Sequence, residues 1–334
     1  MQVKNDYFTP PKFMIQGAGD MMKKEYPPLE FLVDGLLPKT SLVTLNANPK
    51  TGKSLWTEQL ASSVADTSID EFIGHKVCIH GQVLLLALED TPQRLAERLK
   101  KQSVGQPGNG LHICTRWTSG EEGIKDLQLY LSTNSDIVLV IIDTLQTFRA
   151  NALANDYALD YLWMNKLKRI ADERGICIIL VHHLRKTRNE GEDEICQISG
   201  TMGISGVADT NIILERKRRS FLAEMNVSGR DVPDYKDKLR LNPMRLIWSK
   251  ISEKELLADE KVTPERRAIL AALEELGGRG TPKEIAAITN DDNKNVSNKL
   301  AMMVANGIIR KSEKKSGLYE LLETNTEENT HEIR

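Results

Sequence analysis

Four stretches carry residue types and spacings suited to phosphate chemistry. The first is Ala47-Asn48-Pro49-Lys50-Thr51-Gly52-Lys53-Ser54, with Leu55 continuing into a helical stretch. It follows an apolar strand and opens a helix, the context a phosphate-binding loop needs. Backbone N–H groups of the loop and of the helix N-terminus would face a β-phosphate. Lys53 supplies positive charge for the β- and γ-phosphates, and the Ser54 hydroxyl supplies an oxygen ligand for Mg²⁺. The loop opens on Ala47 where the pattern has Gly, so that position needs a negative φ or mild strain.

The second stretch is Ile141-Ile142-Asp143, the end of the apolar run Asp136–Asp143. A carboxylate at the carboxyl end of a buried parallel strand faces the ligand edge of its sheet, where Asp143 would serve Mg²⁺. The third, Leu84-Leu85-Leu86-Ala87-Leu88-Glu89-Asp90, ends in two acids. Glu89 is placed to polarise the water that attacks a γ-phosphate, and Asp90 is read as the cap of the helix from Thr91. The fourth is Val181-His182-His183. Neighbours on a strand point to opposite faces, so only one of these histidines can face the ligand edge.

The elements that would position these groups alternate. Ser41–Leu45, Gln82–Leu88, His112–Thr115, Asp136–Asp143, Ile176–His183 and Thr210–Glu215 read as short Val/Ile/Leu-rich strands. Lys53–Ala65, Thr91–Lys101, Gly123–Ser132 and Tyr157–Glu173 read as helices between them. This alternation predicts an α/β fold whose mainly parallel sheet is covered on both faces. Phe221–Ser228 and Leu239–Ile251 read as two further, antiparallel strands. Residues 1–27, with Pro10-Pro11 and Pro27-Pro28, form an extension that includes a short helix around Phe13–Lys24. The core unit is expected over residues 28–255.

The pattern changes after Asp259. Thr263–Leu276, Thr281–Thr289 and Asp292–Asn306 read as three helices, and Ile308–Lys311 and Leu318–Leu322 as two short strands. Three helices and a β-hairpin over residues 260–322 predict a winged helix-turn-helix. Its recognition helix would present Lys294, Asn295, Asn298 and Lys299, and its wing Arg310, Lys311, Lys314 and Lys315, toward phosphates. Such units also serve as protein contacts. Residues 323–334 read as a polar tail.

Composition bounds the reading. The chain has 334 residues, 40% of them apolar, enough to bury a substantial core. Its 45 Lys+Arg against 47 Asp+Glu give a charge of −2, which argues against a protein that coats nucleic acid by bulk charge and leaves a local basic surface open. The apolar runs fall far short of the roughly 20 residues that span a bilayer, and the N-terminus has no apolar signal core. A cytoplasmic protein with no membrane partner is expected. Cys78, Cys114, Cys177 and Cys196 form no C-x-x-C pair and read as core thiols in a reducing compartment.

Taken in order, these motifs resemble the RecA/DnaB-type ATPases, and most closely the RepA-like replicative helicases of plasmids, prophages and other mobile elements. The segments Ser199–Asp209 and Val227-Ser228-Gly229-Arg230-Asp231 add to the likeness, which spans about residues 28 to 250. The resemblance implies a RecA-like P-loop core and a homo-oligomeric, commonly hexameric, ring with ATP and Mg²⁺ bound between subunits. It implies Glu89 as the water-activating group, Asp143 at the metal, His183 as the sensor and Arg230 as the arginine supplied to a neighbour. Arg216, Arg218 and Arg219 are rivals for that arginine. It implies single-stranded DNA at the loop Arg185–Gly206, through Arg185, Lys186 and Arg188, and a replication initiator or primase as partner. The alternative is a RecA-fold DNA-binding ATPase that acts as a helicase loader, recombination mediator or replication regulator without unwinding.

Overall fold

The computed structural model describes residues 16–105, 108–149, 157–184, 202–217, 220–252, 264–305, 308–312 and 317–321. A short helix, α1 (Ala18–Lys23), buries none of its residues. A small hairpin of β1 (Phe31–Val33) and β2 (Leu37–Pro38) leads into β3 (Ser41–Ala47), the loop of interest and α2 (Lys53–Ala65). After a second small hairpin, β4 (Glu71–Phe72) and β5 (His75–Lys76), strands and helices alternate. They run β6 (Gln82–Ala87), α3 (Pro92–Gln102), β7 (Leu111–Cys114), α4 (Gly120–Thr133), β8 (Ile137–Asp143), α5 (Leu145–Arg149), α6 (Tyr157–Arg174) and β9 (Cys177–His183). The core closes with α7 (Met202–Val207), β10 (Thr210–Arg216), β11 (Leu222–Gly229), β12 (Tyr235–Asn242) and β13 (Ile247–Lys250).

Nine of these strands form one sheet in the order β13-β12-β11-β10-β3-β9-β8-β6-β7. The six from β10 to β7 are parallel, and β11, β12 and β13 extend the sheet antiparallel. Strand periodicity separates two cores. Val43, Leu45, Leu139 and Ile141 pack with α2 on one face. Leu42, Val140 and Ile142 pack with α4 and α6 on the other. The α/β class with a mainly parallel sheet is as the alternation predicts.

The run Leu239–Ile251 is not one strand. It divides into the end of β12 and β13, because Asn242 Oδ1 accepts the N–H groups of Met244 and Arg245, both at 2.9 Å, and turns the chain. Leu246 completes the turn at φ 56°. The cysteines also differ from expectation. Cys177 in central β9 is buried, but Cys78 is exposed and Cys114, on the edge strand β7, is half-buried. Cys196 lies outside the described residues, as does the loop 185–201.

Residues 264–321 have their own apolar core, built from Ile269, Leu273, Ile285, Val296, Leu300, Met303 and Ile309. It packs α8 (Pro264–Glu275), α9 (Pro282–Thr289) and α10 (Asn293–Ala305). The strands β14 (Arg279–Gly280), β15 (Ile309–Lys311) and β16 (Tyr319–Leu321) form an antiparallel sheet in the order β14-β16-β15, one strand more than the sequence suggests. Thr281 and Glu284 form a capping box that fixes the start of α9. Among the described residues no helix is long and apolar enough to cross a membrane.

Candidate functional site

The sheet register decides what meets at the site. Ala47 pairs with His183, and Ala87 with Asp143, so the carboxyl ends of β3, β9, β6 and β8 share one edge. The loop from β3 to α2 lies there. Ala47 is the last residue of β3 and keeps the ordinary negative φ, so the missing Gly brings no strain at that position. Lys50 (φ 65°) and Gly52 (φ 109°) turn the chain back into α2.

Lys53 Nζ folds over its own loop. It donates to Ala47 O at 2.9 Å and Asn48 O at 3.2 Å, and lies 3.2 Å from His183 Nδ1. An ammonium has only donors, so His183 Nδ1 is the acceptor and that nitrogen carries no proton. Burial and the Lys53 charge push the His183 pKa down, which agrees with this. Burial lowers Lys53 itself to about 8, against the pull of Asp143 and Glu89. His182 is buried, and it is His183 that lines the cavity.

Two carboxylates face the lysine. Ser54 Oγ donates to Asp143 Oδ2 at 2.7 Å, and burial raises the Asp143 pKa to about 6. Glu89 Oε1 accepts from Thr144 Oγ1 at 2.8 Å and from Thr147 Oγ1 at 3.3 Å. The cavity bounded by Pro49–Leu55, Glu89, Asp143, Thr144 and His183 has a volume of about 460 Å³. The residues of the loop, an ammonium, and hydroxyl and carboxylate groups thus line a space large enough for a polyphosphate. Two adjacent hard oxygen donors, Ser54 Oγ and Asp143 Oδ2, suit Mg²⁺.

Several residues of the site escape a reading of the sequence. Thr144 and Thr147 hold Glu89. Asp90 does not cap α3; Thr91 does, accepting Arg94 N–H at 3.3 Å. Asp90 instead pairs with Arg94 at 3.0 Å and with Arg98. The Thr-Pro pair at 91–92 is the signal that could have assigned the cap. Arg98 reaches from α3 to Glu58 on α2 through two hydrogen bonds, one of them Nε to Oε2 at 3.1 Å. Burial pushes the Glu58 carboxyl up, and Arg98 draws it back.

The arginine candidates separate. Gly229 pairs with Thr210, so Arg230 follows β11 at the edge opposite the loop. Its side chain is 63% exposed; the guanidinium donates to Gly206 O at 3.0 Å and lies 3.9 Å from Asp209. Arg216 ends β10 on the loop's side, and lines the cavity. Arg218 and Arg219 lie outside the described residues, as do Arg185, Lys186, Arg188, Lys314 and Lys315. On α10, Lys294 is exposed, whereas Lys299 is turned back onto Asp291 at 2.8 Å.

The profile of a family described as an AAA domain, AAA_25, matches residues 9–189, more than half of the chain. A solved structure described as that of a DnaB-like replicative helicase and its interactions with primase superimposes with a TM-score of 0.52 at 16% identity. The alignment covers 64% of this chain and 58% of that one, so the chain spans under two thirds of that helicase's length. At this identity the likeness is one of fold. No curated protein matches the sequence.

Proposed function

The chain belongs to the AAA_25 family of AAA domains, and on that premise we propose that it is an ATP-driven DNA helicase or translocase of mobile-element replication. The observation that carries this reading is the convergence of Lys53, Ser54, Asp143, Glu89 and His183 on one cavity at the carboxyl edge of a parallel sheet. The similarity in fold to a replicative helicase core supports it.

In this reading loop N–H groups and Lys53 bind the β- and γ-phosphates. Glu89, held by Thr144 and Thr147, takes a proton from the attacking water as the bond from the γ-phosphorus to the bridging oxygen breaks and ADP leaves. Ser54 and Asp143 would hold Mg²⁺, which neutralises phosphate charge when bound. His183, in contact with Lys53 and followed by the segment 185–201, is the sensor of the γ-phosphate.

Arg230 faces away from its own loop, and so would serve only the site of a neighbouring copy. This supports a ring, hexameric as in the ATPases the sequence resembles, with single-stranded DNA at residues 185–206. The unit 264–321 is read as a winged helix-turn-helix that offers Lys294 of α10 to DNA or protein. A replication initiator or primase is the expected partner, in the cytoplasm.

The test is hydrolysis and strand separation by the purified chain. ATP hydrolysis stimulated by single-stranded DNA, with unwinding of a forked duplex, is expected. Lys53→Ala and Glu89→Gln each remove both, Glu89→Gln lowering kcat by at least roughly 100-fold while nucleotide still binds. Hydrolysis without unwinding of any fork would refute the helicase and leave the loader or regulator. No nucleotide binding at all would refute the site.

A further inference from the structure

Two side chains that do not belong to its motif hold the phosphate-binding loop. Trp248 on β13 donates its indole Nε1–H to Gly52 O at 3.2 Å. Arg216 at the end of β10 donates Nη2–H to Lys50 O at 2.7 Å. The guanidinium carbon of Arg216 lies 6.0 Å from the Trp248 ring centroid, so the two gripping groups support each other. Trp248 is itself fixed. Gln59 Nε2 donates to Trp248 O at 2.9 Å, and Trp248 N–H donates to Gln59 Oε1 at 2.7 Å.

A trans peptide points its C=O and N–H in opposite directions. Holding Lys50 C=O against Arg216 therefore fixes the opposite direction of Thr51 N–H, whose contact among the described residues is a long 3.4 Å one with Asn48 O. Gly52 C=O takes two donors, the helical Trp56 N–H at 3.1 Å and the Trp248 indole. Two donors on one carbonyl orient and polarise its peptide, which strengthens Lys53 N–H as a donor on the other side. The indole also lies against the loop itself: a Cβ on Gly52 would sit 2.9 Å from Trp248 Cζ2.

We propose that Arg216 and Trp248 are positioning residues of the same subunit, which preset the Thr51 and Lys53 N–H groups for the phosphates of a nucleotide. This rests on the reading of the cavity as a nucleotide site. It also gives Arg216 a place in its own subunit's pocket, apart from any arginine supplied to a neighbour. Because the effect runs through loop N–H groups, it acts on phosphates whatever base they carry.

The test compares the full chain with Trp248→Phe, which keeps an aromatic ring, though a smaller one, and loses the N–H, and with Arg216→Met and Arg216→Lys. Inorganic pyrophosphate is the probe, by calorimetry and by competition with a fluorescent ADP analogue. Loss of one such hydrogen bond predicts pyrophosphate affinity lower by about 3- to 10-fold in Trp248→Phe and in Arg216→Met. Arg216→Lys recovers part of the loss. KM for ATP rises by the same factor, with kcat within about twofold.

Should Trp248→Phe fail to fold, the Arg216 pair alone decides. Unchanged pyrophosphate affinity in the variants beside binding by the parent overturns this proposal only. So does a loss of kcat at unchanged affinity, which would assign Arg216 to a neighbour's site. No pyrophosphate or ATP binding by the parent overturns the nucleotide reading as well.

Discussion

Removing the Gln59 amide should detach the last strand of the sheet from the helix that carries the loop. Among the described residues β13 is an edge strand, paired only with β12. An edge leaves outward N–H and C=O groups that need partners. At Trp248 both are satisfied by one side chain, the Gln59 amide of α2, through bonds of 2.7 and 2.9 Å. Gln59 is 7% exposed and Trp248 1%, so water has little access to replace what Gln59→Ala takes away. Each buried backbone group left without its partner costs about 1–3 kcal/mol. Two such groups give roughly 2–4 kcal/mol once some local relaxation is allowed. The assay is urea unfolding followed by far-UV circular dichroism, with Gln59→Glu as a second variant. Gln59→Glu keeps the acceptor for Trp248 N–H and sets a carboxylate against Trp248 O, so it should be no better than alanine. A loss below about 0.5 kcal/mol at unchanged m-value in Gln59→Ala would refute the reasoning, since β13 would then hold its place without the amide.

Three further outcomes follow from the same geometry. Gly52→Ala must place a Cβ at φ 109° and 2.9 Å from Trp248 Cζ2, so it should cost about 2–4 kcal/mol and weaken nucleotide binding more than about 10-fold, measured by thermal unfolding and calorimetry. Lys53 has a pKa of about 8 in the folded chain against 10.5 unfolded, so the unfolded chain holds more protons between these values. Stability of the nucleotide-free chain should therefore rise with pH through that window, by at most on the order of 2–3 kcal/mol, and Lys53→Met should lose the rise in urea midpoints taken from pH 7 to 10. Burial pushes the Cys177 thiol up to about 12, so iodoacetamide at pH 8 should label the exposed Cys78 and spare Cys177 until denaturant is added, as read by peptide mass spectrometry.

What the sequence makes legible is what local periodicity and short motifs encode. The run of Leu139, Val140, Ile141 and Ile142 announces a strand buried on both faces, and it is one, with alternate residues in separate cores. The loop 47–54 can be read from its Gly-Lys-Ser and the strand before it. Less legible are the polar residues that a helix buries for a distant partner. On α2, Glu58 and Gln59 look like solvent positions, yet both are buried because α3 and β13 cover that side of the helix. Their partners Arg98 and Trp248 lie 40 and 189 residues away, beyond any local pattern. Even there one signal was present: Asn242-Pro243 marks the turn that separates β13 from β12.

The arginines show most clearly where local reading ends. Arg216 and Arg230 flank one antiparallel hairpin, and no local pattern in the sequence ranks one above the other. The register separates them. Arg216 ends a strand that runs parallel to β3, which brings it to the loop, whereas Arg230 follows the end of the returning strand, which carries it to the opposite edge. A single hairpin thus places one arginine over its own loop and turns the other away from it.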